Sequence, residues 1–169
     1  MNRIFVKEIK WIGIAMAALG LNAATSSIVF ATGEQGSGHF VGTQRCIDAG
    51  TTLVCKGKVG GLNGDTFQIN VKAKGTAVIE CENPGGNVAP GQDTTLAVWV
   101  TGSTGLLATP ENGYYRYTIS TITPTVPDYP TCPNKKWNAH VVDVIFDNAT
   151  VTLLEDDVKS DRQTVSVQQ

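Results

Sequence analysis

The sequence has few charged residues and no excess of basic ones. Of its 169 residues, 17% are Asp, Glu, Lys or Arg, and the formal net charge is −2. Soluble domains usually have about 25% charged residues, and a nucleic-acid-binding domain normally carries a basic patch. The composition therefore argues against nucleic acid as a partner. The length favours one domain of ordinary size over two.

The sequence also lacks a helical period after residue 31. Short runs that alternate apolar and polar residues are separated there by turns rich in Gly, Pro and Asn. The predicted strands are residues 44–47, 52–59, 67–73, 77–82, 95–101, 115–120, 137–146 and 149–154. Their short spacing predicts an all-β fold, an antiparallel β-sandwich with immunoglobulin-like architecture. A barrel is the alternative.

The one long apolar run lies at the N-terminus, at residues 11–24. Three basic residues precede it, Arg3, Lys7 and Lys10. This is the pattern of a secretory signal peptide, and small residues favour cleavage after Ala31, with Ala24 as the second candidate. The alternative is an uncleaved membrane anchor, although the polar residues 25–27 interrupt the apolar character that a spanning helix needs.

The chain is thus predicted to have four segments. They are a signal peptide at 1–31, a flexible lead-in at 32–42, the β-sandwich domain at 43–155 and a polar disordered tail at 156–169. Beyond residue 31 the chain has 10 basic and 14 acidic residues, a net charge of −4. Such mild acidity favours solubility and specifies no partner.

Four cysteines lie in the part that is predicted to be exported: Cys46, Cys55, Cys81 and Cys132. An even number of cysteines in a secreted domain favours disulfides, and three pairings are possible. Residues 48–51 form a predicted hairpin turn that brings Cys46 and Cys55 together, which leaves Cys81 to pair with Cys132. The sequence therefore predicts two structural disulfides and a secreted, periplasmic or cell-surface location.

The histidines do not form a convincing catalytic set. His39 lies in the predicted flexible lead-in. His140 is predicted on the apolar face of a strand with Val142, Val144 and Phe146, and Asp143 on the opposite face. We interpret His140 as a structural residue, so the protein is not expected to be an enzyme. The alternative is a small secreted hydrolase in which His140 is the only candidate base.

Acidic and oxygen-rich groups occur in three places: Asp143 with Asp147, the run Glu155-Asp156-Asp157, and the turn Asn63-Gly64-Asp65. Oxygen ligands of this kind could bind calcium, but none of these sets approaches the six to eight ligands of a dedicated site. No metal or other cofactor is therefore expected.

The aromatic residues concentrate in the middle and later strands. Four of them are candidate ligand contacts, Trp99, Tyr115, Tyr117 and Trp137. Trp99 is opposite the face formed by Leu96, Val98 and Val100. It is therefore exposed if that face points inward, and a core residue if both faces are covered.

These observations predict a secreted or cell-surface binding or structural module. Its partner is expected to be an extracellular protein or carbohydrate surface that loops and exposed aromatics recognise, with membrane contact only if the N-terminal segment is not cleaved. A second possibility is a subunit of an extracellular fibre or envelope layer that assembles by strand addition. In that case residues 164–167 (TVSV) could serve as a donor strand.

Overall fold

A computed structural model describes residues 36–88 and 94–169. The predicted signal peptide lies outside the described residues. The strands are β1 (His39–Phe40), β2 (Arg45–Asp48), β3 (Leu53–Gly60), β4 (Thr66–Glu82), β5 (Thr94–Ser103), β6 (Leu107–Ala108), β7 (Tyr115–Ser120), β8 (Asn138–Glu155) and β9 (Val158–Gln168). A single helical turn, α1 (Asp128–Thr131), precedes β8. The prediction of a β-rich fold is confirmed.

The nine strands form one open, mixed sheet with the order β1-β3-β2-β9-β8-β4-β5. Two strands lie off this path, with β6 paired to β4 and β7 paired to β3. All neighbours are antiparallel except β2 and β9, which run parallel. The expectation of a purely antiparallel sheet is therefore wrong at this one pair, because the C-terminal strand joins the sheet beside β2.

The two longest strands, β4 and β8, each replace a pair of predicted strands. The sequence predicted a break near Gly75 in β4, but β4 is continuous there. A Cβ at Gly75 would lie 2.6 Å from Val144 Cγ1 and 2.9 Å from a ring carbon of Phe146. Gly75 is thus a place where two strands and their side chains approach closely, which is a common use of glycine inside a strand.

Strand β8 contains two irregularities in its pairing with β4, and the second changes the predicted faces. Ala73 pairs with Ala149 whereas Gly75 pairs with Phe146, so the predicted turn at residues 147–148 is a bulge in a continuous strand. A second register shift follows because Val78 pairs with Asp143 and Ile79 with Val141. One extra residue on a bulged strand reverses the faces beyond it.

The second bulge explains where His140 lies. Val144 and Phe146 are buried, but Val142 is 42% exposed and His140 is also exposed. The prediction that His140 shares their apolar face is therefore wrong. The prediction that Asp143 lies on the face opposite His140 is also wrong, because Asp143 pairs with Val78 and His140 with Glu80, two residues apart on one face of β4,. The pattern of alternate residues cannot show a bulge in advance.

The C-terminal segment is a strand rather than the predicted disordered tail. Strand β9 pairs with β8 through a two-residue turn in which Asp156 has φ 46° and Asp157 has φ 65°. Its other edge pairs with β2. Residues 164–167 are thus used within the molecule's own sheet, with Val165 buried. The polar strand is held along most of its length by β8 and at Val167 and Gln168 by β2.

The described part of the predicted lead-in is also paired. His39 and Phe40 form β1 against Gly60 and Val59 of β3. Phe40 is only 6% exposed, and its ring makes an edge contact with Tyr117 at 6.2 Å between ring centroids. The start of the domain therefore lies earlier than the predicted boundary at residue 43.

Both predicted disulfides are present, Cys46–Cys55 and Cys81–Cys132. The first joins directly opposite residues of the β2–β3 hairpin. The second joins the end of β4 to the proline-rich segment before β8, as the sequence predicted. Two disulfides indicate an oxidising compartment.

Candidate functional site

The four predicted contact residues do not gather in one place. Trp99 is 60% exposed, whereas Tyr117 is 3% exposed. Tyr115 is half-buried and packs edge-on against Phe67 at 5.1 Å, and Trp137 is half-buried. Tyr117, also predicted as a ligand contact, has its ring in the core, and burial raises the pKa of its phenol well above the usual value.

Trp99 borders a groove of about 320 Å³ between strand β5 and the segment that follows β7. We call this the Trp99 groove. Its lining consists of Leu96, Ala97, Val98, Trp99, Ile122, Thr123, Pro124, Thr125 and Val126. Ile122 is 69% exposed and Leu96 is 39% exposed. A mainly apolar groove with one exposed indole is suited to binding and offers no acid–base chemistry.

Strand β5 and the opposite wall meet at one end of the groove. The Ile122 N–H donates to the Thr101 carbonyl at 3.0 Å. A Cβ at Gly102 would lie 2.7 Å from the Ser120 carbonyl oxygen, so glycine permits this close approach. The contact fixes the position of the segment after β7 beside β5, and the groove opens from that point.

The indole ring of Trp99 is held on the outer face of the sheet. Lys74 is its cross-strand partner on β4, and Lys72 places its Nζ 4.6 Å from the ring centroid. A cation over an aromatic face is stabilising by about 0.5–1 kcal/mol at an exposed site. The side chain is therefore oriented even though most of its surface is accessible.

His140 lies at the surface beside a carboxylate. It is the candidate base if the protein is a hydrolase. Its Nε2 is 2.9 Å from Glu82 Oε2, and the exposed fractions of the two side chains are 51% and 35%. Such a pair connects the ends of β4 and β8. Across residues 36–88 and 94–169, no three His, Cys, Asp or Glu side chains come together as a metal site.

Two residues of the acidic run at 155–157, Glu155 and Asp156, bind backbone groups of neighbouring segments. Glu155 is 2% exposed. Its carboxylate accepts N–H bonds from Gly38 at 2.7 Å, Asn63 at 2.9 Å and Gly64 at 3.4 Å, and a bond from the Ser160 hydroxyl. Burial acts to raise the pKa of Glu155, but these four hydrogen bonds together lower it below its usual value.

Asp156 satisfies the next backbone groups along the same turn. Its carboxylate accepts from the Thr66 N–H at 2.8 Å, the Thr66 hydroxyl at 3.0 Å and the Asp65 N–H at 3.2 Å. The bonds from Thr66 contribute most to lowering the pKa of Asp156. The turn Asn63-Gly64-Asp65 is therefore held by the carboxylates of residues 155 and 156.

The chain matches no protein-family model, and no curated protein sequence matches it. Among the helices of the described segments, none has the length and apolar character needed to cross a membrane.

Proposed function

We propose that the chain is an exported, non-enzymatic binding module that recognises an extracellular protein or carbohydrate surface through the Trp99 groove. The observation that supports this is the 60% exposure of an oriented indole ring next to Leu96 and Ile122. Large aromatic rings are mostly buried in soluble proteins. Exposed tryptophans with apolar neighbours are typical of surfaces that anchor partners or pack against sugar rings.

The proposal includes a β-sandwich of immunoglobulin-like type as the scaffold. Strands β7, β3 and β2 and strands β5, β4 and β8 contribute buried residues to one core cluster. Leu53 and Ile119 come from the first group, and Val71, Val100 and Val151 come from the second. Two packed layers with a shared core would hold the groove rigid, as a binding module requires.

The test is retention of the exported protein on the cells that produce it. Cells are washed with high salt, so that weak charge attraction is removed, and the bound fraction of wild type is compared with Trp99→Ala. The matched control is Leu106→Ala, because Leu106 is 61% exposed and lies outside the Trp99 groove. We expect Trp99→Ala to lose retention and Leu106→Ala to keep it. Equal retention of both variants would refute the proposal.

The chemistry of the partner follows from treating the same cells first. Loss of retention after protease treatment identifies a protein partner, and loss after polysaccharide-degrading enzymes identifies a carbohydrate. Pull-down on insoluble cellulose, chitin and xylan then tests the carbohydrate case with defined material. In that case we expect Trp99→Ala to bind about tenfold more weakly, which is the effect of losing a central aromatic contact.

A second function, assembly by strand addition, is supported by the position of β5. It is the last strand in the hydrogen-bonded order and spans ten residues. The Thr101 carbonyl points away from β4 toward Ile122. Backbone groups alternate in direction along an antiparallel strand, so those of Trp99 and Ala97 point to the same edge, which opens into the Trp99 groove. Such an edge can accept a strand of another chain.

Ala97→Pro tests this second function through the oligomeric state alone, because Ala97 also lines the Trp99 groove and the variant alters both surfaces. Proline at an outward-facing edge position leaves the hydrogen bonds to β4 intact and prevents pairing with an incoming strand. If the chain assembles by strand addition at β5, light scattering shows oligomers of wild type as concentration rises and none of Ala97→Pro. A wild-type monomer at the highest concentration would exclude this function.

A further inference from the structure

Four basic side chains lie together on the outer face of strands β2, β3 and β7. Arg45 is directly opposite Lys56, and Lys58 is directly opposite Arg116. All four residues are exposed. Lys56 and Lys58 are two residues apart on one strand, which places them on the same face about 7 Å apart. The register of three strands thus assembles four positive charges in two adjacent cross-strand pairs.

This arrangement costs stability, because like charges directly opposite each other destabilise a sheet. Only ten Lys and Arg residues occur beyond residue 31, where the net charge is −4, so the concentration of four of them is local. In the part of the chain that the structure describes, no carboxylate forms an ion pair with any of the four. The Cys46–Cys55 disulfide adjoins the first pair and fixes its register.

The four cations line a shallow groove of about 610 Å³, which we call the basic groove. Residues 41–43 form one wall of the basic groove. The buried side-chain amide of Gln44, which is 5% exposed, holds this wall in place. The Gln44 Nε2 donates to the carbonyls of Val41 at 3.1 Å and Gly42 at 3.0 Å. Its Oε1 accepts from the Tyr117 hydroxyl at 2.8 Å and the Lys58 N–H at 3.2 Å. Every hydrogen-bonding position of this amide is used, so the wall is firmly positioned.

An aromatic platform adjoins the basic groove. A neighbouring cavity of about 410 Å³ shares Val41, Lys58 and Arg116 with the groove and adds Tyr114. Tyr114 is 61% exposed. A Cβ at Gly60 would lie 2.6 Å from Tyr114 Cε1, so the ring rests directly on the backbone of β3. The ring is therefore accessible and also held in place.

We propose that the basic groove binds an acidic polysaccharide, whose carboxylate or sulfate groups contact the four cations while a sugar ring packs against Tyr114. Charge complementarity requires an anionic ligand, and the groove is too shallow to enclose a small molecule. An acidic peptide would use the cations equally well, but it would gain less from a fixed aromatic ring. This binding surface is built on other strands than the Trp99 groove, so the inference does not rest on the proposed function.

The test measures affinity for defined polymers at low and at physiological salt. The probes are polygalacturonate, which carries carboxylates, dextran sulfate, which carries sulfates, and uncharged dextran. We expect at least one of the two anionic polymers to bind and dextran not to bind, with affinity falling as salt rises. The anionic polymer that binds more tightly identifies the preferred acidic group. Failure of both anionic polymers to bind at low salt would overturn the proposal.

The variant Lys56→Gln/Lys58→Gln is expected to bind the anionic polymer about tenfold more weakly. The matched control is Lys135→Gln/Lys136→Gln, which removes the same charge from an exposed position outside the groove. Equal weakening by both variants would show a general charge effect and would refute binding of the polymer in the basic groove. Misfolding does not obscure the result, since relief of repulsion should let Lys56→Gln/Lys58→Gln unfold at an equal or higher urea concentration than wild type.

Tyr114 separates a polysaccharide from an acidic protein. Tyr114→Leu is expected to bind the polysaccharide about fivefold more weakly, and Tyr114→Phe to bind it normally, since the ring is kept. Poly-glutamate carries carboxylates without sugar rings. If it binds as tightly as the polysaccharide, and Tyr114→Leu changes neither affinity, the ligand is an acidic protein and the polysaccharide assignment is wrong.

Discussion

The two ends of the β4–β8 pair are held by different chemistry. At one end, where Phe67 pairs with Glu155, buried hydrogen bonds to carboxylates hold the loops; we call this the carboxylate end. At the other, where Cys81 pairs with Ala139, the Cys81–Cys132 disulfide holds the preceding loop; we call this the disulfide end. The carboxylate end depends on ionisation and the disulfide end on oxidation. Acid and loss of the Cys81–Cys132 disulfide should therefore loosen opposite ends of the β4–β8 pair.

The disulfide end gives the largest expected effect. Replacing Cys81 and Cys132 with Ala should lower the free energy of unfolding by about 4 kcal/mol, against about 3 kcal/mol for the same change at Cys46 and Cys55. The reason is the longer loop that is closed in the unfolded chain, with sequence separations of 51 and 9 residues. Urea unfolding of the two double variants measures both losses.

The two disulfides also differ in what else holds the residues that they join. Cys46–Cys55 joins two residues that are already paired in a hairpin, whereas Cys81–Cys132 ties a segment that lies outside the strands to the end of β4. Hydrogen exchange should therefore show faster exchange at residues 128–139 only in the variant that lacks Cys81 and Cys132. A larger stability loss from the Cys46–Cys55 pair would contradict the loop-length argument.

Glu155→Ala is expected to destabilise the carboxylate end. This change leaves the N–H groups of Gly38 and Asn63 without their acceptor, and we expect a loss of about 3 kcal/mol of unfolding free energy. Asp157→Asn is the control, because Asp157 is exposed at the same turn and Asn also tolerates its positive φ,. Similar urea midpoints for Glu155→Ala and the control would show that the buried carboxylate does not hold this end.

Acid should act most strongly on the carboxylate end. The pKa values of Glu155 and Asp156 are lowered in the folded state by their hydrogen bonds, so the stability they contribute is full above the unfolded pKa values of about 4. This contribution to stability is lost as the pH falls through the lower pKa values that the two carboxylates have in the folded state. We expect the free energy of unfolding to decrease below about pH 4, and Glu155→Gln to decrease less steeply.

The location of this acid effect can be checked by hydrogen exchange at pH 3. Backbone amides of Gly38, Asn63 and Thr66 should lose protection before those near Cys81 and Ala139. Earlier loss of protection at the disulfide end would contradict the assignment of the acid-sensitive groups.

Features that depend on local sequence were predictable, and those that depend on distant neighbours were not. The β2–β3 hairpin follows from a turn between two alternating runs, and the pairing of Cys46 with Cys55 follows from that hairpin. The bulges of β8 do not follow, because the register with β4 decides where an extra residue fits. Strand β9 was missed because its pairing partners, β8 and β2, are not visible in its own polar sequence.

The same distinction applies to the candidate binding surfaces. Trp99 could be placed opposite an apolar face, and the burial of Val98 and Val100 shows that this face points inward. The alternation of Tyr115 and Tyr117 with Arg116 and Thr118 was the available signal that the tyrosine face is the core face. The basic groove could not be found from sequence, because its residues meet only through the register of three strands.

The smallest expected effect comes from Ser160, which donates one of the four hydrogen bonds to Glu155. Ser160→Ala should lower the free energy of unfolding by about 1 kcal/mol at pH 7, and Ser166→Ala, an exposed serine on the same strand, should have no effect. The loss should shrink toward pH 3. The missing donor raises the folded pKa of Glu155 toward its unfolded value, so the variant has less carboxylate stabilisation to lose in acid. An equal loss at both pH values would assign the effect to packing around Ser160 rather than to its bond with the ionised carboxylate.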